Sequence, residues 1–303
     1  MRAPGGRGQD GPLDDSAQER GMSTVSVKEI AIDGRPASVH VGGQGEPLLL
    51  VHGAWGGASM HWAPVWERLA ERFQVIAPDL PGIGRTDAPG LGALDAYARW
   101  LERLLDELAV SSAWCVGNSF GVSVVSSFAT LFAARCRGLV FVNGVPIPPL
   151  PRLVGWLGAR PLPRRMLRAL MRKQTYNPRV LSRAYADPGR APAALREVLE
   201  SANPPQLEAV LDAAIQGGSR APLSLNPLLV WGEADQLLGN SADDAKKLHA
   251  SLPGSQLTFI PATGHMPQVE NPEAFVDAVS RFIEARATAA RPRGFGGQAS
   301  PGA

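Results

Sequence analysis

Residues 112–133 read SAWCVGNSFGVSVVSSFATLFA, and this stretch decides the fold. SAWCV is short, apolar and rich in strand-forming side chains, and VSVVSSFATLFA is a run of small and apolar residues with helical length. Between them Gly117-Asn118-Ser119-Phe120-Gly121 fits the pattern G-x-S-x-G in the context it requires, strand before and helix after. A serine at such a turn is held in a strained backbone conformation. Glycines two residues to either side let neighbouring chain pass close to it. The free N–H groups and positive dipole end of the following helix point to where an oxyanion would develop, so Ser119 is the candidate nucleophile.

Working outward, seven more short apolar runs read as strands: 25–32, 37–41, 47–53, 74–80, 138–144, 227–233 and 256–262. Helical stripes lie between them, including Trp62, Val65, Trp66 and Leu69, then Tyr97, Leu101, Leu104, Leu105 and Leu108, and last Phe275, Val279, Phe282 and Ile283. Nearly all-apolar strands alternating with amphipathic helices predict an α/β, doubly wound, mostly parallel eight-stranded sheet covered on both faces, with the first hairpin as an antiparallel edge.

Domain limits follow from composition. Residues 1–22 and 287–303 are dominated by Gly, Pro, Ala and Arg and are expected to be disordered tails. The core is expected over 23–145 and 223–286. From 146 to 222 the strands stop and Pro-punctuated helical pieces take over, which predicts a helical insertion. Between Pro146 and Arg190 it carries ten Lys or Arg against Asp187 alone, a net +9 in a chain of net +2. In LPRRMLRALMRK the side bearing Leu162, Met166, Leu167 and Leu170 is expected to face inward. The arginines 164, 165, 168 and 172 then form a solvated outer face, while Arg152, Arg160, Arg179 and Arg183 are candidates for turning onto a substrate carboxylate.

Composition narrows the functional classes. With 303 residues, 45% hydrophobic and 19% charged, the chain can bury its own core. Cys115 and Cys136 cannot make a disulfide framework or a paired zinc site. No run is long enough to span a membrane, the first twenty residues lack an apolar signal core, and the charge is too small to make nucleic acid the expected partner. The expectation is a cytoplasmic protein whose partner is a small molecule, with oligomeric state left open.

Four further motifs fall just past strands. His52-Gly53-Ala54-Trp55 follows PLLLV, where a loop must supply a second oxyanion N–H. DLPGIGRTD (79–87) follows the next strand, Asp235 lies past PLLVWGE, and His265 lies past QLTFIPA in Ala262-Thr263-Gly264-His265-Met266-Pro267. All are therefore at the carboxyl ends of parallel strands, where open α/β sheets build their sites. Glu233 competes with Asp235 as the acid, but Glu233 still belongs to the strand end and Asp235 to the loop. His40, His61 and His249 are expected to be structural, and Cys115 a small core residue.

The set HGAW, DLPGIGRTD, GNSFG and a late Asp with GHMPQVENP resembles the α/β-hydrolase fold family from about Val25 to Ala287, with the insertion as its cap. GNSFG is similar to the elbow of the meta-cleavage product hydrolases, which cleave a carbon–carbon bond; where they usually carry Trp after the catalytic His, this chain has Met266. Haloalkane dehalogenases and soluble epoxide hydrolases share the cap but use an Asp nucleophile, and Ser119 separates this chain from both. The resemblance implies a Ser119–His265–Asp235 triad, oxyanion donors at the Phe120 and Ala54 N–H groups, and no metal or organic cofactor. His52, Gly53, Trp55, Asn143 and Met266 are expected beside the reacting atoms, supporting the site or lining its pocket. The expected activity is hydrolysis of an apolar carboxylic ester or related acyl compound, with a carboxylate on the substrate left open. The alternatives are C–C hydrolysis, acyl transfer, and a ligand-binding member with a vestigial triad. Leu153, Trp156, Leu157, Met166, Tyr176 and Tyr185 are the apolar candidates for the substrate pocket.

Overall fold

The structure, a computed structural model, describes residues 24–86, 91–147, 223–237 and 239–290. Between 148 and 222 it describes only 165–166, 168–170, 173, 177–190, 208, 211–213 and 215–218. The strands are β1 Val25–Ile32, β2 Arg35–Gly42, β3 Glu46–Val51, β4 Phe73–Pro78, β5 Ala113–Asn118, β6 Cys136–Val142, β7 Leu228–Gly232 and β8 Gln256–Ile260. They form one eight-stranded sheet in the order β1-β2-β4-β3-β5-β6-β7-β8. Antiparallel pairing is confined to β1–β2 and β2–β4, and every later pair is parallel.

Strand side chains alternate between two apolar layers, as a sheet buried on both faces requires. Leu48, Leu50, Val116, Val140, Val142 and Val230 point to one side. There they meet Trp62, Val65 and Leu69 of α1 (Ala58–Ala70) and Phe275, Val279 and Phe282 of the terminal helix. Leu49, Val51, Ile76, Cys115, Phe141 and Leu229 point to the other side. They meet Leu101, Leu104 and Leu105 of α2 (Leu94–Glu107) and Val124 and Phe128 of α3 (Phe120–Leu131). Truncating one such fully buried Leu costs about 2–5 kcal/mol. The three helical stripes legible in the sequence thus become the inner faces of helices on both sides of the sheet.

Three elements depart from expectation. The terminal helix runs from Pro272 to Ala290, past the start of the tail expected at residue 287. Ala and Arg are good helix formers, nothing in RATAA stops a helix, and Arg286 lies 4.5 Å over the Phe282 ring. In the insertion, Met166 and Leu170 are exposed (69% and 57%), not turned inward. Arg168 takes the inner position, donating to Asp212 and to Glu208 (3.1 Å). Two carboxylates on a neighbouring segment give the guanidinium a bidentate seat that outweighs burial of a methionine. Arg179 and Arg183 are exposed, so neither turns inward onto a ligand. Leu153, Trp156, Leu157, Tyr176, Arg152 and Arg160 lie outside the described residues.

Further helices whose limits fall among the described residues are α4 (Pro178–Arg183), α5 (Ala242–Ser251), α6 (Pro267–Glu270) and the terminal α7 (Pro272–Ala290). The carboxyl ends of β3, β4, β5, β6, β7 and β8 come to one edge of the sheet, and each is followed by a residue singled out above: His52, Asp79, Ser119, Asn143, Asp235 and His265.

Candidate active site

Ser119 lies between β5 and α3 at φ 53°, ψ −115°, a region that non-glycine residues avoid at a cost of about 1–3 kcal/mol. The turn is closed by the Ser119 N–H donating to the Val142 carbonyl (3.0 Å) and the Val122 N–H to the Ser119 carbonyl (3.0 Å). Close packing enforces its glycines. A Cβ on Gly117 would lie 2.5 Å from the Gly121 oxygen, and one on Gly121 would lie 2.3 Å from the Val51 oxygen. Phe120 opens α3, so its N–H has no acceptor within the helix and heads the positive end of the helix dipole.

Asp235 and His265 are buried and joined by a 2.7 Å contact from the imidazole Nδ1 to Oδ2. The same Oδ2 accepts from the Asn143 side chain (2.8 Å), and Oδ1 accepts from the Leu237 N–H (2.9 Å). With Nδ1–H donating to the carboxylate, Nε2 keeps its lone pair and can accept a proton. Asn143 is held in turn by the Gly232 N–H donating to its Oδ1 (2.9 Å), so β6 and β7 together aim the carboxylate. Glu233 is exposed and, contrary to expectation, lies in the turn that follows β7 instead of on the strand. Among the described residues no hydrogen bond joins the Ser119 hydroxyl to the His265 ring; in ligand-free sites such contacts are often long and tighten only in the reacting complex.

A chain of polar contacts behind Ser119 was not anticipated from the sequence. The Asn118 amide donates to the Val142 carbonyl (2.9 Å) and to the His265 carbonyl (3.2 Å), which leaves Asn118 Oδ1 as an acceptor. That oxygen lies 2.8 Å from His61 Nδ1, and His61 Nε2 lies 2.6 Å from the Trp55 carbonyl. His61 therefore ties the elbow to the HGAW loop. Burial pushes its pKa down to about 3, outweighing two acceptor contacts that favour the cation, with His52 and His265 adding repulsion. His52 is also depressed, chiefly by burial. It accepts from the Leu80 N–H at Nε2 (2.9 Å) and donates from Nδ1 to the Gly53 carbonyl (2.7 Å), which fixes the path leading to Ala54.

The other predicted neighbours also converge. A Cβ on Gly53 would lie 3.2 Å from Ser119 Cβ, so the loop passes against the elbow. The Trp55 ring meets His265 edge-on at 5.7 Å. Met266 is fully buried in an apolar cluster with Met60, Ala184 and Tyr185, against Trp55, Leu237 and Val269. His40 stacks on Trp66 and lies 3.2 Å from the Ser59 hydroxyl, and His249 Nδ1 lies 2.8 Å from the Ser255 hydroxyl, ahead of β8. Among the described residues no three His, Cys, Asp or Glu side chains gather as metal ligands, and no helix is long and apolar enough to cross a membrane.

Comparison with known proteins places this geometry. Residues 48–278 match the model of the alpha/beta hydrolase family. A 2-hydroxymuconate semialdehyde hydrolase of Pseudomonas putida is 28% identical over 267 residues, covering 84% of this chain and 93% of its own. Among solved structures, a meta-cleavage product hydrolase from Pseudomonas fluorescens superposes with TM-score 0.68 at 22% identity, covering 85% of this chain and 97% of its own. A thermophilic esterase from Thermogutta terrifontis gives TM-score 0.67 at 24% identity, covering 86% and 99%. The chain belongs to the alpha/beta hydrolase family.

Proposed function

We propose that the protein is a serine hydrolase that cleaves an apolar carboxylic ester or related acyl compound through an acyl-enzyme. The observation that carries this is the positive-φ Ser119 at the head of α3, on the same sheet edge as the buried Asp235–His265 pair. As His265 Nε2 takes the hydroxyl proton, Ser119 Oγ bonds to the substrate carbonyl carbon. His265 returns the proton to the departing alkoxide, and water repeats the sequence on the acyl-enzyme, releasing acid and restoring Ser119. Asp235 holds the imidazole and stabilises its charged form. The N–H groups of Phe120 and Ala54 receive the oxyanion. The insertion over 146–222 acts as a cap, with Tyr185 and Met266 contributing apolar surface near His265.

A second reading, hydrolysis of a C–C bond in a dienoate, draws on the resemblance of GNSFG to the elbow of the meta-cleavage product hydrolases and on the likeness to the Pseudomonas fluorescens member of that group. Against it stand Met266 directly after His265 and the engagement of Asn118 by His61 and two carbonyls, which uses its amide for structure. Steady-state turnover of p-nitrophenyl esters of increasing chain length, run beside one ring-cleavage dienoate, separates the two. Ester turnover that disappears in Ser119→Ala supports the first reading. Turnover of the dienoate alone replaces it with the second.

A further inference from the structure

Glu270, at the end of α6, is a carboxylate with three backbone donors drawn from two distant segments. Its Oε2 accepts from the Gly264 N–H (2.5 Å), and its Oε1 accepts from the N–H groups of Ala186 (2.9 Å) and Asp187 (3.4 Å). In the reverse direction, the His265 N–H donates to the Ala184 carbonyl at 2.6 Å. The strap Ala184–Asp187, which leads out of α4, thus lies directly on the His265 loop. Gly264 makes that approach feasible, since a Cβ there would sit 2.3 Å from the Ala184 oxygen and 3.0 Å from the Ala186 nitrogen. Ala184 and Tyr185 are buried against Met266, so an apolar contact backs the polar one.

His265 has three anchors. Its ring is held by Asp235 and its carbonyl by Asn118, both from the core, whereas its N–H is held by the insertion. We infer that Glu270 is a positioning residue that latches the insertion onto the His265 loop, so that docking of the insertion and placement of the imidazole are one event. The inference rests on His265 being the base proposed above. Without the latch, a buried N–H loses its acceptor and the loop relaxes, and a displacement of 1 Å at a reacting group costs about a hundredfold in rate. The charge state matters as much as the shape. A carboxylate accepts on both oxygens, whereas a glutamine amide would turn an NH₂ against one of the same N–H donors.

The test compares wild type with Glu270→Gln and Ala186→Pro, the second removing a donor from the strap while keeping the carboxylate. Hydrogen exchange is followed by mass spectrometry, and kcat and KM are measured on a short p-nitrophenyl ester. In Glu270→Gln the amides of 184–187 and of Gly264–Met266 should exchange at least about tenfold faster together, with the β3–β6 core unchanged. On the same protein kcat should fall about 10- to 100-fold with KM nearly constant. Ala186→Pro should reproduce the exchange pattern. A role in stability alone would lower the melting temperature and leave kcat of the folded fraction intact. Unchanged exchange at both segments, or faster exchange with wild-type kcat, would overturn the latch. If the wild type turns over no ester, the exchange result alone decides the latch, and the catalytic proposal fails separately.

Discussion

Acid should weaken this protein well before its carboxylates are protonated, because His61 is buried as a neutral imidazole. Its folded-state pKa is about 3 against an ordinary 6.5, so between those values the unfolded chain binds a proton that the folded chain refuses. The stabilisation is complete above pH 6.5 and drains away as pH falls toward 3. At pH 5 the loss from this residue is about 2 kcal/mol relative to pH 8. His52 and His40 are depressed by the same cause and add with the same sign. His61→Gln should cost about 1–3 kcal/mol at pH 8, since the single N–H of the neutral ring serves one of the two facing oxygens, the Trp55 carbonyl or Asn118 Oδ1, and that acceptor loses its donor. It should nevertheless lose about 2 kcal/mol less than wild type on going to pH 5. Urea unfolding at the two pH values, followed by tryptophan fluorescence, measures both quantities. Equal pH dependence in the variant and wild type would refute the argument that this ring is held neutral by burial.

Asp235→Asn should lower ester turnover by orders of magnitude, as it removes the acceptor that fixes the His265 tautomer, while exposed Glu233→Gln should stay near wild type. Equal kcat losses would transfer the role. Asn143→Ala should lower kcat about 10- to 100-fold with the Asp235→Asn effect largely masking it, because Asn143 acts through the same carboxylate; additive losses in the double variant would contradict this. Ser119→Gly should abolish turnover and raise stability by about 1 kcal/mol, since glycine adopts φ 53° without strain; a thermal midpoint at or below wild type would count against a strained elbow.

What could be read from the sequence was whatever is written locally. The apolar runs predict the strands, the G-N-S-F-G spacing predicts the elbow, and the fall of Asp235 and His265 just past strands brings them to one sheet edge, where the two meet at 2.7 Å. Contacts that depend on the folded path were hidden. Glu270 sits five residues after His265 and reads as an ordinary helix-end acid, since only the fold brings Ala186 to it across 84 positions. His61 was expected to be structural and sits in a helix, yet nothing local shows its ring reaching Asn118. Met166 and Leu170 of LPRRMLRALMRK were misjudged as inward because periodicity ranks residues by polarity and is blind to Asp212 and Glu208 awaiting Arg168, while Leu162, Arg164, Leu167 and Arg172 lie outside the described residues. The helix through Ala290 was missed because Ala and Arg carry little apolar signal while favouring helix.

The central claim is that Ser119 is a nucleophile activated by His265. Intact-mass measurement after treatment with a fluorophosphonate, followed by peptide mapping, tests it most directly. The account predicts one adduct per chain, located on Ser119, absent in Ser119→Ala and formed at least about a thousandfold more slowly in His265→Ala. No adduct on the wild type, an adduct on another residue, or labelling that persists unchanged in His265→Ala would contradict it.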